Sequence, residues 1–332
     1  MLAKVAIVGM FVGAASAASL QAAHADADDP LAGSDTAIIL GGTFESTPST
    51  SFAQAAEDLY LHPLGFDDGA TGSTVCDMVG TDPCAAPLQV LTTPELIQQG
   101  PSSLTAADDV VLAVENEFNA DPGAFSAEDP LTIFGYSQSA TAESIAMTQL
   151  AEDGIPSDDL HFVFIGDPSL LPDGVWPNLV ADGDTIFGTT LTNSILTDLG
   201  FDGVLGNVTP DDLYPTTIYT LDTDGVADWQ EDWNAALAAD NGNALDALGS
   251  GIYHFFTTHV EYLGLTPEEI ASGVATTDNL TTTITIPDGS DPGSIINDGA
   301  ALLGAFSHGV ADSGAFTALL ETVEDLFNPA YA

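Results

Sequence analysis

A serine between small residues is the first candidate for chemistry in this sequence. Residues 135–139 are Gly-Tyr-Ser-Gln-Ser, so Ser137 stands two positions after a glycine and two before a second small residue. A chain that turns sharply from a strand into a helix needs small residues at these two positions, because larger side chains would collide. The Ser137 hydroxyl would then project from the turn, near the free N–H groups that begin the helix. The segment predicts a nucleophilic serine, although so short a motif has low specificity by itself.

A nucleophilic serine needs a histidine to take its proton and a carboxylate to orient the imidazole. Where the serine sits on a strand–turn–helix, the acid and then the histidine follow it along the chain. Asp224 comes just after the apolar run 217–221, and His259 follows the helical segment 252–258. We predict Ser137, Asp224 and His259 as the catalytic residues. The alternatives are that Asp224 is one solvated acid among many and that His259 is a structural imidazole.

The negative charge that forms during attack on an ester needs two N–H donors. The N–H of Gln138, directly after the serine, is the first candidate. Gly41 and Gly42 precede Thr43 at the end of an early apolar run, and glycines let the backbone approach a substrate closely. We predict the Thr43 N–H as the second donor. The alternative is that these glycines only form a turn at the end of a strand.

The elements that must position these residues alternate between two hydrophobic patterns. Short apolar runs typical of buried parallel strands span residues 37–42, 88–91, 131–135, 160–166 and 217–221. Helical patterns span residues 51–59, 105–118, 139–150, 242–259 and 266–275. This alternation predicts an α/β fold with a mostly parallel sheet and helices on both faces. The looser segment 167–215 is predicted to be an inserted, lid-like segment over the carboxyl edge of the sheet.

The charge of the chain excludes several classes of function. The 332 residues include 50 Asp and Glu but a single basic residue, Lys4, for a formal charge of −49. Binding of nucleic acid requires Lys and Arg to displace counterions, so no nucleic-acid partner is expected. The hydrophobic content of 45% is too high for a disordered acidic tail. No carboxylate cluster has the spacing of an EF-hand loop, and we expect no metal or organic cofactor.

The two ends of the sequence differ from its middle. Lys4, a short apolar run and the small-x-small segment 23–25 predict a signal peptide over residues 1–25, cleaved after Ala25. The alternative is an uncleaved anchor; no later stretch is predicted to span a membrane. We therefore expect a secreted or cell-envelope protein with a single domain over 26–332. Residues 295–328 are expected to form a helical C-terminal extension that packs on this domain or lies against lipid.

Cys76 and Cys84 are the only cysteines of the chain. Two cysteines in an exported protein, close together in a segment rich in Gly, Pro and Asp, favour a local disulfide. A zinc site is the less favoured alternative, because no histidine lies nearby to complete a tetrahedron.

Several segments, in this order, resemble the PE-PPE domain, a family of mycobacterial serine hydrolases of α/β-hydrolase fold related to cutinases. The resemblance covers residues 36–290, with segments 39–43, 91–95, 134–140, 164–168, 214–220, 224–228 and 265–270. It implies an esterase or lipase that cleaves acyl esters, without a cofactor, through Ser137, Asp224 and His259. The expected partner is an acyl ester or a lipid, with a possible association with the cell envelope.

Two departures from the family pattern leave one role open. The family often has Tyr before the first Asp and Phe-Pro after the second, where this chain has Thr223 and Trp229-Gln230. Asp228 therefore stays the alternative acid. Some members of the family transfer acyl groups onto trehalose glycolipids, so an acyltransferase is the alternative activity. A secreted binding protein that keeps this fold without catalysis is the alternative class.

Overall fold

A computed structural model of the chain describes residues 29–66, 73–239 and 242–287, together with His308. The predicted signal peptide, 1–25, lies outside the described residues. Of the expected C-terminal extension, 295–328, only His308 is described. Among the described residues, no helix is both long enough and apolar enough to cross a bilayer.

Within the described residues, eight strands form one sheet in the order β2-β3-β1-β4-β5-β6-β8-β7. All neighbouring pairs are parallel except β7 with β8, which is antiparallel. The strands are β1 (Ala37–Ile39), β2 (Val75–Asp77), β3 (Leu88–Val90), β4 (Leu131–Tyr136), β5 (Leu160–Ile165), β6 (Thr216–Leu221), β7 (Val274–Asp278) and β8 (Thr281–Ile286). The predicted α/β-hydrolase-type fold with a mostly parallel sheet is confirmed.

Helices cover both faces of this sheet. They are α1 (Thr50–Ala56), α2 (Gln99–Ala120), α3 (Gln138–Asp153), α4 (Val175–Phe187), α5 (Thr189–Asp198), α6 (Trp229–Ala239), α7 (Ala244–Phe256) and α8 (Pro267–Ala271). Successive strand residues point to opposite faces. Ile38 packs in one apolar cluster with Val110 of α2 and Met147 of α3, whereas Ile39 packs in another with Phe52 of α1. Burial on both faces explains why the central strands are apolar throughout.

The chain order brings two loops together at one edge of the sheet. From β1 the chain leaves toward β2 and β3, and from β4 it leaves in the opposite direction, toward β5. Because β1 and β4 are neighbouring parallel strands, with Ile39 opposite Phe134, the loops that follow them start side by side and diverge. Such a crevice at the carboxyl ends of the strands is where α/β proteins bind ligands. The segments after β1 and β4 are the ones that carry Thr43 and Ser137.

The segment 167–215, predicted as a lid, contains α4 and α5. A third apolar cluster joins α4 and residues 201–205, which follow α5, to α6 and α7, and its buried members include Trp176, Trp229 and Trp233. The lid-like segment therefore packs on α6 and α7 through an apolar cluster distinct from those on the two faces of the sheet.

Two of the expected helices differ from the structure, and three strands were not expected. Helix α2 begins at Gln99, and Thr105, expected at its N-terminus, lies inside it and donates to the carbonyl of Pro101. The helix expected over 266–275 ends at Ala271. Strands β2, β7 and β8 were not predicted, because they are rich in Thr and polar residues and carry little apolar signal.

Cys76 of β2 and Cys84 of the following loop form a disulfide, with their Cα atoms 6.3 Å apart. The predicted disulfide is confirmed. It ties the short strand at the edge of the sheet to the loop that leads into β3, and a loop of this length gives a stabilisation of ~2–3 kcal/mol.

Candidate active site

Ser137 occupies a strained turn between β4 and α3. Its φ of 57° and ψ of −114° lie in a region that L-residues rarely adopt, which costs on the order of 1–3 kcal/mol. Gly135 is required beneath this turn, because a Cβ there would lie 2.6 Å from a carboxylate oxygen of Glu143. The strand, the turn and the helix thus hold the Ser137 side chain at the carboxyl end of the sheet.

Ser139 closes the same turn. Its hydroxyl accepts a hydrogen bond from the N–H of Tyr136 at 2.8 Å and donates to the Tyr136 carbonyl at 3.1 Å. Ser139 therefore does more than fit the space of a small residue. Its two hydrogen bonds connect the end of β4 to the start of α3.

His259 reaches Ser137 from the far end of α7. It lies in a short 3-10 turn, Thr258–Val260, and its Nε2 is 2.7 Å from Ser137 Oγ. The imidazole is only 2% exposed. A Cβ at Gly166, after β5, would come within 2.9 Å of the ring, so only glycine leaves room for it there.

Asp224 completes a continuous relay with the other side of the imidazole. Its two carboxylate oxygens lie 2.9 and 2.8 Å from His259 Nδ1, and the residue is fully buried. The N–H groups of Val226 and Ala227 also donate to Asp224 Oδ1. Burial acts to raise the pKa of Asp224, but the His259 charge and the hydrogen bonds from His259, Tyr262 and Ala227 outweigh it and hold the pKa below its ordinary value. An ionised Asp224 suits a histidine tautomer with its proton on Nδ1, which leaves Nε2 free to accept the Ser137 proton.

Two aromatic rings hold the imidazole from its faces. Tyr136 and Phe255 stack on His259 with ring centroids 5.6 and 5.4 Å away. The Tyr136 hydroxyl also donates to the His259 carbonyl at 2.8 Å. Ring packing and this hydrogen bond restrict rotation of the imidazole away from Ser137.

Within the described residues, Asp228, the alternative acid, makes no hydrogen bond to the imidazole, whose two nitrogens meet Asp224 and Ser137. Its N–H donates to the Asp224 carbonyl, while its buried Oδ2 accepts no hydrogen bond from any residue that the structure describes. Burial, followed by the charges of Glu231, Asp173, Asp224 and Asp222, raises the pKa of Asp228 to about 9. The structure brings Asp224, and not Asp228, to His259.

The other histidines that follow Asp224 along the chain, His254 and His308, bond elsewhere. His254 Nδ1 is 2.8 Å from Asp232, which links α7 to α6. His308 Nδ1 lies 3.2 Å from the Ser51 carbonyl. Neither ring has a recorded contact with Ser137.

Thr43 and Gln138, the predicted oxyanion residues, lie together beside the serine. The Thr43 hydroxyl donates to Gln138 Oε1 at 3.0 Å and accepts from Gln99 Nε2, also at 3.0 Å. A Cβ at Gly42 would come within 2.9 Å of the Tyr136 ring, so the loop passes against the nucleophile turn only because glycine is there. The N–H of Gln138 is among the first of α3 and has no partner within the helix.

Gln99, Tyr136 and Tyr262 belong to the site but were not predicted from the sequence. The Tyr262 hydroxyl donates to Asp224 Oδ2 at 2.6 Å and accepts from the N–H of Leu221 at 3.0 Å. The only sequence signal for Tyr262 is its position three residues after His259, which by itself has no chemical meaning.

Replacing Tyr262 with phenylalanine is expected to lower kcat about tenfold with little change in KM. The substitution removes a hydrogen bond to a buried carboxylate, which contributes about 1.5–3 kcal/mol, and Tyr262 is not among the residues that line the space beside Ser137. Steady-state kinetics with a p-nitrophenyl ester provide the measurement. Tyr214→Phe is the matched control, since that hydroxyl donates to the Ile155 carbonyl outside the site. Equal losses in both variants would contradict a positioning role for Tyr262.

A cavity of about 460 Å³ opens beside Ser137 beneath the lid-like segment. Thr43, Gln99 and Ser137 lie in its wall, and most of the remaining lining is aliphatic or aromatic. Representative lining residues are Val175, Trp176, Leu179, Ile186, Trp229 and Phe255. Its size is that of a small-molecule site, and its lining suits an apolar chain.

Three carboxyl groups are buried near the nucleophile turn without a basic partner. Burial raises the pKa of Glu95 to about 8 and that of Asp167 to about 6, and it raises the pKa of Glu143 well above its ordinary value. The charges of Glu95 and Asp167 add to the effect on Glu143. The folded state therefore favours the protonated forms of these groups.

We expect Glu95→Gln to weaken the dependence of stability on pH. In the wild type the unfolded Glu95 ionises above pH ~4.5 while the folded one stays protonated up to about 8, so stability falls as pH rises between these values. A neutral amide removes that difference. When the pH is raised from 5 to 8, the free energy of unfolding of Glu95→Gln is expected to rise by ~1–3 kcal/mol relative to that of the wild type. Denaturant unfolding at both values tests this. Exposed Glu152→Gln is the control, and an unchanged pH dependence in Glu95→Gln would contradict the expectation.

The sheet topology and the serine turn at its carboxyl edge define an α/β hydrolase fold, with a Ser-His-Asp arrangement at the position where such folds bind ligands. Sequence comparison identifies the family more narrowly. The PE-PPE domain family model matches residues 84–292, and the chain belongs to this family.

Two relatives come from Mycobacterium tuberculosis. Esterase PE16 is 31% identical over 285 residues, which cover 83% of this chain and 46% of that protein. An uncharacterised PPE family protein, PPE28, is 29% identical over 250 residues, which cover 75% of this chain and 32% of that protein. The chain thus spans less than half the length of either relative.

Among solved structures, a cutinase-like protein from Cryptococcus sp. is similar over 70% of this chain and 97% of its own. The sequence identity is 18% and the TM-score is 0.34.

Proposed function

We propose that this protein is an exported serine esterase that cleaves acyl esters through Ser137, His259 and Asp224. The observation that carries the proposal is the unbroken relay from Ser137 Oγ to His259 Nε2 at 2.7 Å and from His259 Nδ1 to Asp224 at 2.8 Å. The strained turn at Ser137 and the apolar cavity beside it support the same function. The family relative named Esterase PE16 supports it independently.

Acylation of the serine is the first half of the reaction. His259 Nε2 takes the proton of Ser137 as its oxygen attacks the ester carbonyl, and Asp224 stabilises the resulting imidazolium. The N–H groups of Gln138 and Thr43 would receive the oxyanion, because both residues flank Ser137 and their side chains are joined to each other. Return of the proton from His259 to the departing alcohol leaves an acyl-enzyme.

Hydrolysis of the acyl-enzyme completes the cycle. His259 removes a proton from water, whose oxygen attacks the acyl carbonyl, and Ser137 leaves with that proton. The acyl chain lies in the apolar cavity, where burial of its methylene groups supplies binding energy of about 0.8 kcal/mol each. The proposal therefore includes a rate that rises with acyl chain length until the cavity is filled.

A fluorophosphonate probe combined with ester turnover tests the proposed function. We expect one equivalent of probe on Ser137 and release of p-nitrophenol from esters of four to sixteen carbons. A chain that neither labels nor turns over any ester would be a binding protein on this fold. The assay includes trehalose as a second acceptor, and acylated trehalose as the main product would make the reaction an acyl transfer instead of a hydrolysis.

Export is the second part of the proposal. The basic start, the apolar run and the small-x-small segment before Asp26 support it, and so does a disulfide, a bond that persists in oxidising compartments. N-terminal sequencing of the protein recovered from culture medium or cell envelope is expected to begin at Asp26. Recovery of the full chain from the cytoplasm, with both cysteines reduced, would contradict export.

A further inference from the structure

Besides Thr43, Gln99 and Ser137, two polar side chains line the cavity. Asp182 of α4 and Thr192 of α5 both belong to its lining, together with the aliphatic and aromatic side chains of the lid-like segment. Both residues are buried, with 7% of Asp182 and 2% of Thr192 exposed. The relay at Ser137 uses neither of them.

The hydroxyl of Thr192 has no hydrogen-bond partner among the described residues, although it is buried. A threonine in a helix can donate to a carbonyl of the preceding turn, but here only the backbone N–H of Thr192 bonds to Gly188. A buried hydroxyl without a partner destabilises the folded state, because it has lost its hydrogen bonds to water and gained none in the protein. Such a group in a native fold calls for an explanation, and a ligand is one.

One carboxyl oxygen of Asp182 accepts a hydrogen bond from the protein, and the other does not. Its Oδ2 accepts a hydrogen bond from Trp229 Nε1 at 2.9 Å, which fixes the carboxyl group against the cavity wall. Its Oδ1 accepts no hydrogen bond from any residue that the structure describes. Burial, opposed by the Trp229 hydrogen bond, raises the pKa of Asp182.

The two side chains lie on helices that touch beside them. A Cβ at Gly183 would come within 2.7 Å of Thr192 Cγ2 and 3.3 Å of its Oγ1, so Thr192 packs directly on the α4 backbone next to Asp182. Gly183 also lines the cavity. The absence of a side chain at this position leaves room for Thr192 against α4, one residue along the chain from Asp182, and both residues line the same cavity.

We propose that Asp182 and Thr192 form a polar subsite for a hydroxyl group carried by the acyl chain of the substrate, which makes hydroxyacyl esters the preferred substrate class. This inference rests on the proposed esterase function. A substrate hydroxyl donates to Asp182 Oδ1 and accepts from the Thr192 hydroxyl, so it satisfies both groups at once. A plain alkyl chain satisfies neither, and an ammonium group offers Thr192 no acceptor.

The esterase is expected to prefer hydroxyacyl esters because a plain alkyl chain leaves Asp182 and Thr192 without hydrogen-bond partners. A site that binds a substrate hydroxyl discriminates against the analogue that lacks it, because its own buried polar groups then lose both water and partner. For one neutral hydrogen bond and one to a carboxyl group, we expect kcat/KM to be about 10- to 100-fold higher for the hydroxyacyl ester.

The test compares p-nitrophenyl octanoate with the three p-nitrophenyl hydroxyoctanoates that carry the hydroxyl on the third, sixth or eighth carbon. In the wild type, at least one hydroxyoctanoate is expected to exceed octanoate by about tenfold or more in kcat/KM. Thr192→Val and Asp182→Asn are expected to bring this ratio close to one, and Thr192→Ser is expected to restore it. Thr190→Val, an exposed position on the same helix, is the control and is expected to keep the wild-type ratio.

The wild-type measurement decides the question even if a variant fails to fold. A ratio near one at every hydroxyl position would overturn the subsite and leave the esterase function intact. A wild-type preference that survives in folded Thr192→Val and Asp182→Asn would also overturn it, because the hydroxyl would then bind elsewhere. Failure to label Ser137 or to turn over any of the four esters would overturn the proposed function together with the subsite.

Discussion

Ser137→Ala is expected to lower kcat for p-nitrophenyl esters by about 10⁶-fold, to the level of residual hydrolysis. The variant loses the only oxygen that lies 2.7 Å from His259 Nε2, so no acyl-enzyme can form. The fold should persist, because alanine is smaller and the Ser137 hydroxyl bonds only to the imidazole within the part of the chain that the structure describes. Burst-phase kinetics measure the effect, since the wild type should release one equivalent of p-nitrophenol rapidly where acylation outpaces deacylation.

Ser194→Ala is the matched control for this variant. Ser194 is an exposed serine of α5 and has no recorded hydrogen bond, so its kcat should equal that of the wild type. If Ser137→Ala kept more than about a hundredth of the wild-type rate, catalysis by a covalent serine intermediate would be excluded.

Asp224→Asn is expected to lower kcat by about 10⁴-fold while the fold and KM change little. An amide NH₂ facing Nδ1 favours the histidine tautomer with its proton on Nε2, and that nitrogen can no longer accept the Ser137 proton. The neutral amide also fails to stabilise the imidazolium. The N–H groups of Val226 and Ala227 can still donate to the remaining amide oxygen, so the loop geometry should be retained.

Asp228→Asn separates the two acids that the sequence leaves as alternatives. Asp228 is buried, lies four residues further along the same loop and has no recorded contact with His259. We expect less than a tenfold change in kcat, and a gain in stability above neutral pH, because a neutral amide replaces a carboxyl whose pKa burial raises to about 9. The opposite ranking of the two variants would make Asp228 the catalytic acid and show that the relay of the structure is not the working one.

The apolar runs of the sequence predicted the central strands of the sheet but not the strands near its two edges. Strands β1, β3, β4, β5 and β6 are buried on both faces, and an apolar run is the direct consequence of that burial. Strand β7 is exposed throughout and pairs along only one edge, so hydrogen bonding to β8 stabilises it without a hydrophobic signal. The segment 266–275 begins as a helix, with a capping box at Thr266. The helix ends earlier than predicted because Val274 and Ala275 pair with β8 instead.

By itself, the sequence determined the turn at Ser137, the small residues beneath it and the local disulfide. Each of these depends on neighbouring residues or on composition, which are visible along the chain. Only the tertiary structure decided that Asp224 and not Asp228 meets His259, that Tyr262 holds the acid, and that Asp182 and Thr192 share one cavity. These pairings join elements far apart in the chain, and the packing of helices across the sheet sets their distances, for which the spacing of residues along the chain carries no information.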